Sequence, residues 1–376
     1  MKRSNRGTLP SVSLVFTSLA VAAVATVVAP LLSRGWSSVP GSSRVAVQDP
    51  GAEVFISVQQ LSEHVVLARV GDQPEFGQVI LNNVVAIGLS SGITVVDTGY
   101  FPQSAYRLRE RLVEGLPGNE FEYVVNTHWH WDHHNGNQAF ADATIIAHEG
   151  IVPALELFER DFDSFLAQRR ERLSAWTKTL SSAAEGSPEA LEARGWAFAH
   201  ARFVQEVEAG YEVIYPDITF TNVLTLRLRD LGEPFDVELL AVPPFHSDHD
   251  VLVVVPHEGV AALGDLFFPG EVPLISTDYV TDLPAFVRRM SEILAAHTSV
   301  DLFVPGHGRL MSRDEVVGMV SYLDEIIQAV EECRAADMDL AGAKRALSIE
   351  NRFLYMQGRG DPATHEVNLE TLWNGL

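Results

Sequence analysis

The sequence predicts a layered α/β fold whose polar functional residues collect at one edge of a sheet. Short apolar segments with strand periodicity alternate with amphipathic helical segments along the chain. Several strands end in histidine or aspartate beside glycine or proline, and one runs directly into a dense group of histidines. Functional sites of layered α/β proteins collect at such strand ends. Hydrophobic residues make up 47% of the 376 residues, which is enough to bury a sizeable core.

The charge and the cysteine content exclude several classes of protein. The net charge is −23, whereas a nucleic-acid-binding protein normally presents a basic face. Cys333 is the single cysteine, which excludes an intramolecular disulfide framework and a cysteine-based zinc site. We therefore expect a small-molecule partner and no nucleic acid. The sequence predicts no particular oligomeric state.

The N-terminal segment has the pattern of an export signal. Three basic residues precede an uncharged, apolar run over residues 12–32. The run is long enough to span a bilayer, so residues 1–34 are predicted to be either a cleaved signal peptide or an N-terminal membrane anchor. Residues 35–52 are predicted to be a linker rich in serine, proline and glycine. The basic leading side places the remaining chain in the periplasm or outside the cell, anchored to the inner membrane in the second case.

The main domain is predicted to extend over residues 53–313, and its first half alternates strands with one helix. Ser91-Gly92 favours a hairpin turn, and the strand that begins at Ile93 ends in a polar elbow at Asp97. The predicted strands are 64–70, 82–89, the one beginning at Ile93, 121–125 and 143–147, with a helix at 104–116 between the third and the fourth.

The segment over residues 151–210 is predicted to be a helical insertion. It is rich in Glu, Arg, Ala and Leu, and a clear break at Ser187-Pro188 favours two or three helices. Such an insertion forms either plain scaffold or a lid over the site. Strands then follow at 218–220, 224–228, 237–242, 251–255 and 260–265, and a helix at 283–296. The segment 301–308 is predicted to be a strand that ends in a histidine, and residues 315–347 are predicted to be helical. Residues 314–376 are predicted to be a C-terminal helical extension.

Potential metal ligands are most concentrated in the segment Asn126-Thr127-His128-Trp129-His130-Trp131-Asp132-His133-His134. A strand that ends in His-x-His projects both imidazoles to the same side, because strand side chains alternate with a period of two. After the following turn, Asp132 and His133 can face the same volume. Imidazole and carboxylate together suit zinc and similar divalent metals. This segment therefore predicts a metal site.

Four further strand ends carry a histidine or an aspartate. These residues are Asp97, His246, Asp265 and His307. Each one alone is weak evidence, since a single aspartate or histidine at a strand end is commonly a turn residue. Together they are flanked by an apolar strand on one side and by glycine or proline on the other. We therefore expect all of them at the sheet edge that carries the histidine motif.

The ordered motifs resemble those of the metallo-β-lactamase fold superfamily over residues 54–309. The motifs that carry the resemblance are Asp97-Thr98-Gly99, His128-x-His130-x-Asp132-His133, His246, Asp265 and Pro305-Gly306-His307-Gly308. The flanking Asn126-Thr127 and Gly136-Asn137 are similar to those of secreted bacterial metallohydrolases with a dinuclear site. The resemblance implies an αββα four-layer sandwich.

The resemblance further implies seven ligands for two zinc ions per chain, and iron or manganese would fit the same donors. By position, the ligands are His128, His130 and His246 for the first ion, Asp132, His133 and His307 for the second, and Asp265 as a bridge between them. Asp132 is also the implied catalytic residue, because it would orient a hydroxide shared by the two ions. Asp97 is expected to fix a ligand imidazole by a hydrogen bond.

Two histidines depart from the family pattern. His134 follows His133 where the family usually carries a small or hydroxyl residue, and we expect it to support the ligands, with a spare ligand, an acid or no role as the alternatives. The third motif, His246-Ser247-Asp248-His249, offers two histidines. His246 is the predicted ligand because it lies nearer the strand, with His249 as the alternative ligand or a proton donor at the rim.

Three functional hypotheses follow from the resemblance. The first is an exported dinuclear zinc hydrolase that cleaves a small ester, thioester, lactone or β-lactam-like amide by a metal-bound hydroxide. Asp265 favours the ester, thioester and lactone classes, because β-lactamases of this fold generally lack the bridging aspartate. The second is an iron-dependent oxidative enzyme of the same fold. The third is an accessory protein that binds metal without turnover.

Overall fold

The computed structural model describes residues 53–71 and 81–375. The predicted signal peptide or anchor and the predicted linker, residues 1–52, lie outside the described residues and stay predictions. Within the described ranges, no helix combines the length and the apolar character needed to cross a membrane.

The described strands form two mixed sheets. The first sheet has the order β1-β2-β3-β4-β5-β6-β7, antiparallel as far as β4 and parallel from β4 to β7. Its strands are β1 (Phe55–Gln60), β2 (Val65–Gly71), β3 (Leu81–Leu89), β4 (Gly92–Val96), β5 (Phe121–Val125), β6 (Thr144–His148) and β7 (Ile218–Phe220). Asp97 and His128 follow β4 and β5, two adjacent parallel strands, so both lie at the same edge of this sheet.

The second sheet has the order β13-β12-β11-β10-β9-β8, and only the β11–β12 pair among these described strands is parallel. Its strands are β8 (Val223–Asp230), β9 (Glu233–Val242), β10 (Asp250–Val255), β11 (Val260–Gly264), β12 (Leu302–Pro305) and β13 (Met311–Ser312). Asp265 and His307 follow the parallel strands β11 and β12, which places them at one edge of this sheet.

Helices cover the outer face of each sheet. They are α1 (Ser104–Gly115), α2 (Trp131–His134), α3 (Ile151–Arg160), α4 (Phe162–Ser182), α5 (Pro188–Ala209), α6 (Leu283–Ala296), α7 (Arg313–Ala335), α8 (Leu340–Ala346) and α9 (Pro362–Trp373). Helices α1, α4 and α5 pack on the first sheet, and helices α6 to α9 pack on the second. Two helical layers around two sheets are the predicted αββα sandwich, so the fold prediction is confirmed.

Strands buried on both faces explain this layering. In β2, Val65 and Leu67 pack between the two sheets, whereas Val66 and Ala68 face the helices of the first outer layer. Strand β10 behaves in the same way, since Val251 and Val253 face the other sheet while Leu252 and Val254 face the second helical layer. A sheet that is covered on both faces requires such continuous apolar strands.

The insertion consists of three helices, α3 to α5, and it is held to the first sheet by a buried carboxylate. Glu206 on α5 accepts hydrogen bonds from the backbone amides of Gln103 and Ser104, both at 2.8 Å, and from the hydroxyl of Ser104. These amides lie at the N-terminus of α1, where they have no partner within the helix. The Arg202 guanidinium donates to the same carboxylate at 2.7 Å. The insertion is thereby fixed to the core at this end.

The C-terminal helices differ in part from the prediction. The stretch predicted to be helical, residues 315–347, is interrupted between two helices, because α7 ends at Ala335 and α8 begins at Leu340. Asp337 adopts a positive φ of 52°, and the Asp339 side chain accepts a hydrogen bond from the Gly342 amide and so caps α8. Aspartate side chains compete in this way with helical backbone bonds, which explains the break.

A buried polar network joins α9 to the segment that follows Asp265. The Asn368 side chain donates to the Pro273 carbonyl at 2.7 Å and accepts from the Ile275 amide at 2.8 Å. Asn368 also donates to the Tyr322 hydroxyl at 3.1 Å. Each buried polar group in this network has a partner, so the network fixes the position of the segment without the cost of an unpaired group.

Candidate metal centre

Backbone hydrogen bonds bring the two sheet edges together. The Val251 amide donates to the Thr127 carbonyl at 2.9 Å, which joins the second sheet to the histidine motif of the first. The Asn83 amide donates to the Gly306 carbonyl at 2.8 Å, and the Thr98 amide donates to the His133 carbonyl at the same distance. The predicted site residues therefore meet between the two sheets at their common edge.

Three imidazoles form the first group of the site. His128 and His130 follow β5, and His246 follows β9. The ligand atoms of all three lie within 4.8 Å of one another, and His130 Nδ1 lies 2.9 Å from His246 Nε2. The His128 side chain is fully buried, whereas His130 and His246 are half-buried. This is the trio that the resemblance implies for the first ion.

The second group combines a carboxylate with two imidazoles. Asp132 and His133 lie on the short helix α2, and His307 follows β12. Asp132 Oδ2 lies 3.1 Å from His307 Nε2 and 3.7 Å from His133 Nε2. The three ligand atoms again lie within 4.8 Å of one another.

Asp265 lies between the two groups. Its Oδ1 is 3.4 Å from His133 Nε2, and its Oδ2 is 3.4 Å from both His246 Nε2 and His307 Nε2. It also forms a third compact group with His128 and His133. A carboxylate that contacts imidazoles of both groups has the position of a bridging ligand.

Asp97 occupies the position expected of a supporting residue. Its carboxylate accepts hydrogen bonds from the Thr127 amide, the Thr127 hydroxyl and His133 Nδ1, each at 2.8 Å. The bond to Nδ1 fixes the tautomer of His133 and leaves Nε2 directed at Asp265 and Asp132. Asp97 itself has a positive φ of 59°, a conformation that aspartate and asparagine tolerate better than most residues.

Burial and neighbouring charges shift the pKa values of the site's histidines in opposite directions. Burial lowers the pKa of His130 to about 3, and the neighbouring His246 adds to this effect. Burial also opposes protonation of His307, but Asp265 and Asp132 raise its pKa to about 10. The pKa of His133 is likewise raised by Asp265, Asp97 and Asp132 against the effect of burial. Positive charge near the carboxylates is therefore strongly stabilised, which is the charge that a divalent cation supplies.

Unpaired buried atoms show that the donor set fits a metal ion. His128 Nε2, His133 Nε2 and Asp265 Oδ1 are buried without a hydrogen-bond partner among the described residues. Buried polar atoms normally have partners, so these three atoms point to a missing partner that accepts lone pairs. Imidazole nitrogens with carboxylate oxygens suit zinc, iron or manganese. Gly306 leaves room for this arrangement, because a Cβ there would lie 2.1 Å from Asp265 Oδ1.

The two remaining predicted residues lie outside these groups. His134 is buried with its ring 5.5 Å from Phe158 of α3, and burial lowers its pKa to about 4. His249 stacks on His148 with ring centroids 4.8 Å apart and packs over Gly150. The structure thus brings His246 and not His249 into the first group.

Several residues near the centre were not predicted from the sequence. Asn82 donates to Asp132 Oδ2 at 3.4 Å, and Asn83 donates to the Pro305 and Gly308 carbonyls on either side of His307. The Phe268 ring lies 5.9 Å from that of His246, and the Tyr279 ring lies 6.1 Å from that of His130. In the sequence, the signal that could have indicated such a role is the pair of adjacent asparagines, Asn82 and Asn83, at the start of an apolar strand.

Comparison with known proteins agrees with this geometry. The family model of the metallo-beta-lactamase superfamily matches residues 78–308, which is more than half of the chain. The chain belongs to the metallo-β-lactamase superfamily. No curated protein sequence matches it significantly. Members of this superfamily typically bind a dinuclear metal site, and the histidine and aspartate groups described above provide donors for one.

Two of the solved structures that are similar to this chain have low sequence identity to it. A metallo-beta-lactamase from Pontibacter korlensis is 16% identical, with a TM-score of 0.48, and the match covers 72% of this chain and 99% of that one. The stereoselective inverting sec-alkylsulfatase Pisa1 from Pseudomonas sp. is 14% identical, with a TM-score of 0.53. That match covers 82% of this chain and 48% of the sulfatase, so this chain spans about half the length of that protein.

Proposed function

We propose that this metallo-β-lactamase superfamily member is an exported dinuclear zinc hydrolase that acts on a small ester, thioester, lactone or β-lactam-like amide. The observation that carries the proposal is the position of Asp265 between two compact donor groups, His128–His130–His246 and Asp132–His133–His307. When bound there, a metal pair supplies Lewis acidity and lowers the pKa of water.

Asp132 is the residue best placed to handle a proton. Its side chain is 18% exposed, compared with 7% for Asp265, so it is the more accessible of the two carboxylates. Asn82 donates to Asp132 Oδ2 and restricts its orientation. The charges of His133 and His307 keep the pKa of Asp132 low against the effect of burial. An ionised, oriented carboxylate can accept a proton from an attacking water and return it to the leaving group.

The aromatic surroundings suit a partly apolar substrate. Phe268 and Tyr279 are half-buried and stand beside the imidazoles of His246, His307 and His130. Burial raises the pKa of Tyr279 to about 12, so its hydroxyl stays protonated and can donate a hydrogen bond. Such walls exclude water from part of the site and bind apolar substrate atoms.

The first experiment is metal analysis of the full chain, purified without added metal, beside a substrate panel. The panel contains an aryl ester, a thioester, a lactone, a chromogenic β-lactam and a secondary alkyl sulfate. Two zinc ions per chain with turnover of one of the first four classes is the expected result. Iron without hydrolysis would favour the oxidative alternative, and metal without any turnover would favour the accessory protein.

Site variants test the assignment of the ligands. His128→Ala and Asp132→Ala are expected to lower metal content and abolish turnover, because each removes a donor from one group. His246→Ala is expected to lose about one metal ion per chain, whereas the matched control His249→Ala is expected to keep both. Metal loss in His249→Ala with none in His246→Ala would reverse the assignment of these two residues.

Export is proposed from the N-terminal sequence. Basic residues followed by the apolar run over residues 12–32 support either a cleaved signal or an anchor. Expression of the full chain followed by fractionation and intact-mass measurement separates the two. A shortened chain in the periplasm indicates cleavage, a full-length chain in the membrane indicates anchoring, and a full-length cytoplasmic chain refutes export.

A further inference from the structure

A buried arginine of the insertion hydrogen-bonds to Tyr100 but has no carboxylate partner among the described residues. Arg169 on α4 is 6% exposed, and its guanidinium carbon lies 4.5 Å from the Phe165 ring centroid and 4.9 Å from that of Trp131. Within residues 53–71 and 81–375, no carboxylate lies within 4.0 Å of this guanidinium, and Nε has no hydrogen-bond partner. Arginine stays protonated in proteins, and a buried charge without a counter-charge is costly.

A second arginine adds positive charge close to Arg169. Arg172, one turn further along α4, is also half-buried, and no ion pair joins it to an acidic side chain in the described ranges. Burial lowers the pKa of Arg169, and Arg172 lowers it further. Tyr100, which hydrogen-bonds to Arg169, and Asp132 act in the opposite direction, and Asp132 already belongs to the second donor group.

Two more buried side chains near Arg169, those of His200 and Trp196, have a hydrogen-bond donor without a partner among the described residues. The Tyr100 hydroxyl lies 3.4 Å from His200 Nδ1, and the Trp196 ring stacks on His200 with centroids 5.7 Å apart. His200 Nε2 and Trp196 Nε1 are buried and have no hydrogen-bond partner in the part of the chain that the structure describes. Burial, with the charges of Arg169 and Arg172, lowers the pKa of His200 to about 3. A neutral His200 that accepts from Tyr100 carries its hydrogen on Nε2, so both unpaired nitrogens are donors.

Contacts connect this cluster to the metal centre. The Trp131 ring lies 4.4 Å from that of Tyr100, and Trp131 directly precedes Asp132 in the chain. The unpaired atoms of Arg169, His200 and Trp196 are all hydrogen-bond donors, so what each of them lacks is an acceptor. Since neither Arg169 nor Arg172 has a pairing carboxylate within residues 53–71 and 81–375, we expect an acceptor that carries negative charge.

We propose that helices α4 and α5 and Tyr100 form a binding site for a small oxyanion, a carboxylate, sulfate or phosphate group. Arg169 supplies the charge, and His200 and Trp196 supply further hydrogen-bond donors. The site goes beyond the proposed hydrolase activity, because it requires neither bound metal nor turnover. Its ligand is either a free anion or the anionic group of a substrate that reaches the metal centre.

Anion titration of the full chain tests the proposal. Sodium sulfate, phosphate and acetate are each titrated against sodium chloride at equal ionic strength, with melting temperature and tryptophan fluorescence as readouts. The wild type is expected to show a saturable response to at least one oxyanion beyond that of chloride. Arg169→Gln is expected to weaken that binding by about tenfold or more, because bonds to a charged donor are strong ones.

Arg170→Gln is the matched control. Arg170 is the next residue of the same helix, but it is exposed and pairs with Glu208 at 2.8 Å, so this variant should keep the saturable response. Trp196→Phe keeps the ring and removes one donor, and it provides a second test if Arg169→Gln fails to fold. An absent saturable response in the wild type, or an unchanged one in both Arg169→Gln and Trp196→Phe, overturns the proposal.

A pair of substrates separates the two sources of the anion. With 4-nitrophenyl acetate and mono-4-nitrophenyl succinate, a rise in KM of Arg169→Gln for the succinate ester alone identifies the substrate's carboxylate as the ligand. Equal KM changes together with lost sulfate binding identify a free anion. Because the titration does not depend on turnover, failure of the hydrolase proposal and failure of the anion site give different results.

Discussion

The substitution Asp97→Asn tests how the metal centre fixes one of its ligands. The Asp97 carboxylate accepts the proton of His133 Nδ1 at 2.8 Å and also holds the Thr127 amide and hydroxyl. Asparagine has nearly the same shape and tolerates the positive φ of 59° at this position. The variant therefore keeps the backbone and removes one charged acceptor. If the amide NH₂ of the new side chain faces His133, Nδ1 has no acceptor there, and the tautomer of His133 with hydrogen on Nδ1 is no longer favoured.

The expected loss is worked out from that single hydrogen bond. Removing the partner that orients a metal-binding histidine typically weakens metal affinity by about 10- to 100-fold. This corresponds to about 1.4 to 2.8 kcal/mol of binding free energy. The second donor group, Asp132–His133–His307, should be affected first because His133 belongs to it, so one of two metal ions should be released more easily.

Competition against a chromogenic chelator measures this change. The wild type and Asp97→Asn are titrated with zinc at fixed chelator concentration, and two binding steps are fitted. Asp142→Asn is the control, because Asp142 pairs with Arg109 at the protein surface, away from the donor groups. If Asp97→Asn binds both ions as tightly as the wild type, Asp97 does not orient His133 in the way that the structure indicates.

Three further substitutions test packing, capping and pH dependence. Gly306→Ala should lower metal content severely, because its Cβ would lie 2.1 Å from Asp265 Oδ1. Glu206→Ala should lower the free energy of unfolding by about 2 to 4 kcal/mol, since it leaves the buried Ser104 amide and the partly buried Gln103 amide unpaired at the start of α1. His64 hydrogen-bonds to two carboxylates, which raise its pKa against burial. Protonated His64 therefore stabilises the fold below its ordinary pKa of 6.5, and this stabilisation is lost as the pH rises through the raised value.

For each of these three predictions, a matched variant or a pH series provides the control and defines the result that would contradict it. Gly318→Ala on α7 has open space around its Cβ and should leave metal content unchanged. Glu208→Ala removes an exposed ion pair from the same helix as Glu206 and should cost less than about 1 kcal/mol. For His64→Gln, urea unfolding at about pH 6 and about pH 9 should show a larger difference from wild type at the lower pH. A difference that does not change with pH would contradict the raised pKa.

The sheet framework could be predicted from the sequence because its strands are unusually apolar. Strand β10 is buried along its whole length, and its sequence Asp250–Val255 is almost purely β-branched and aliphatic. The predicted helix at 283–296 and the predicted strands at 121–125 and 218–220 have the bounds seen in the structure. At Asp337 and Asp339, local side chains compete with the backbone for hydrogen bonds. The apolar periodicity of the sequence did not show this break between the two helices.

The donor groups could be anticipated because their residues lie at or shortly after strand ends, and parallel neighbouring strands end at the same edge. Asp97 and His128 follow β4 and β5, and Asp265 and His307 follow β11 and β12. The contacts of Arg169 could not be predicted in this way. A helical segment with many charges shows which residues share a face, but not which arginine is buried against Trp131 instead of solvent.

Trp131 is where the insertion and the metal centre meet, and its position decides how insertion variants should be interpreted. Its ring packs against Phe165 at 5.1 Å and Phe203 at 5.5 Å, both on insertion helices, while its backbone begins the helix that carries Asp132. A substitution that shifts this ring also shifts a carboxylate of the second donor group. Insertion variants should therefore change kcat through Asp132 whenever Trp131 moves, and a change in KM alone identifies residues that contact the substrate directly.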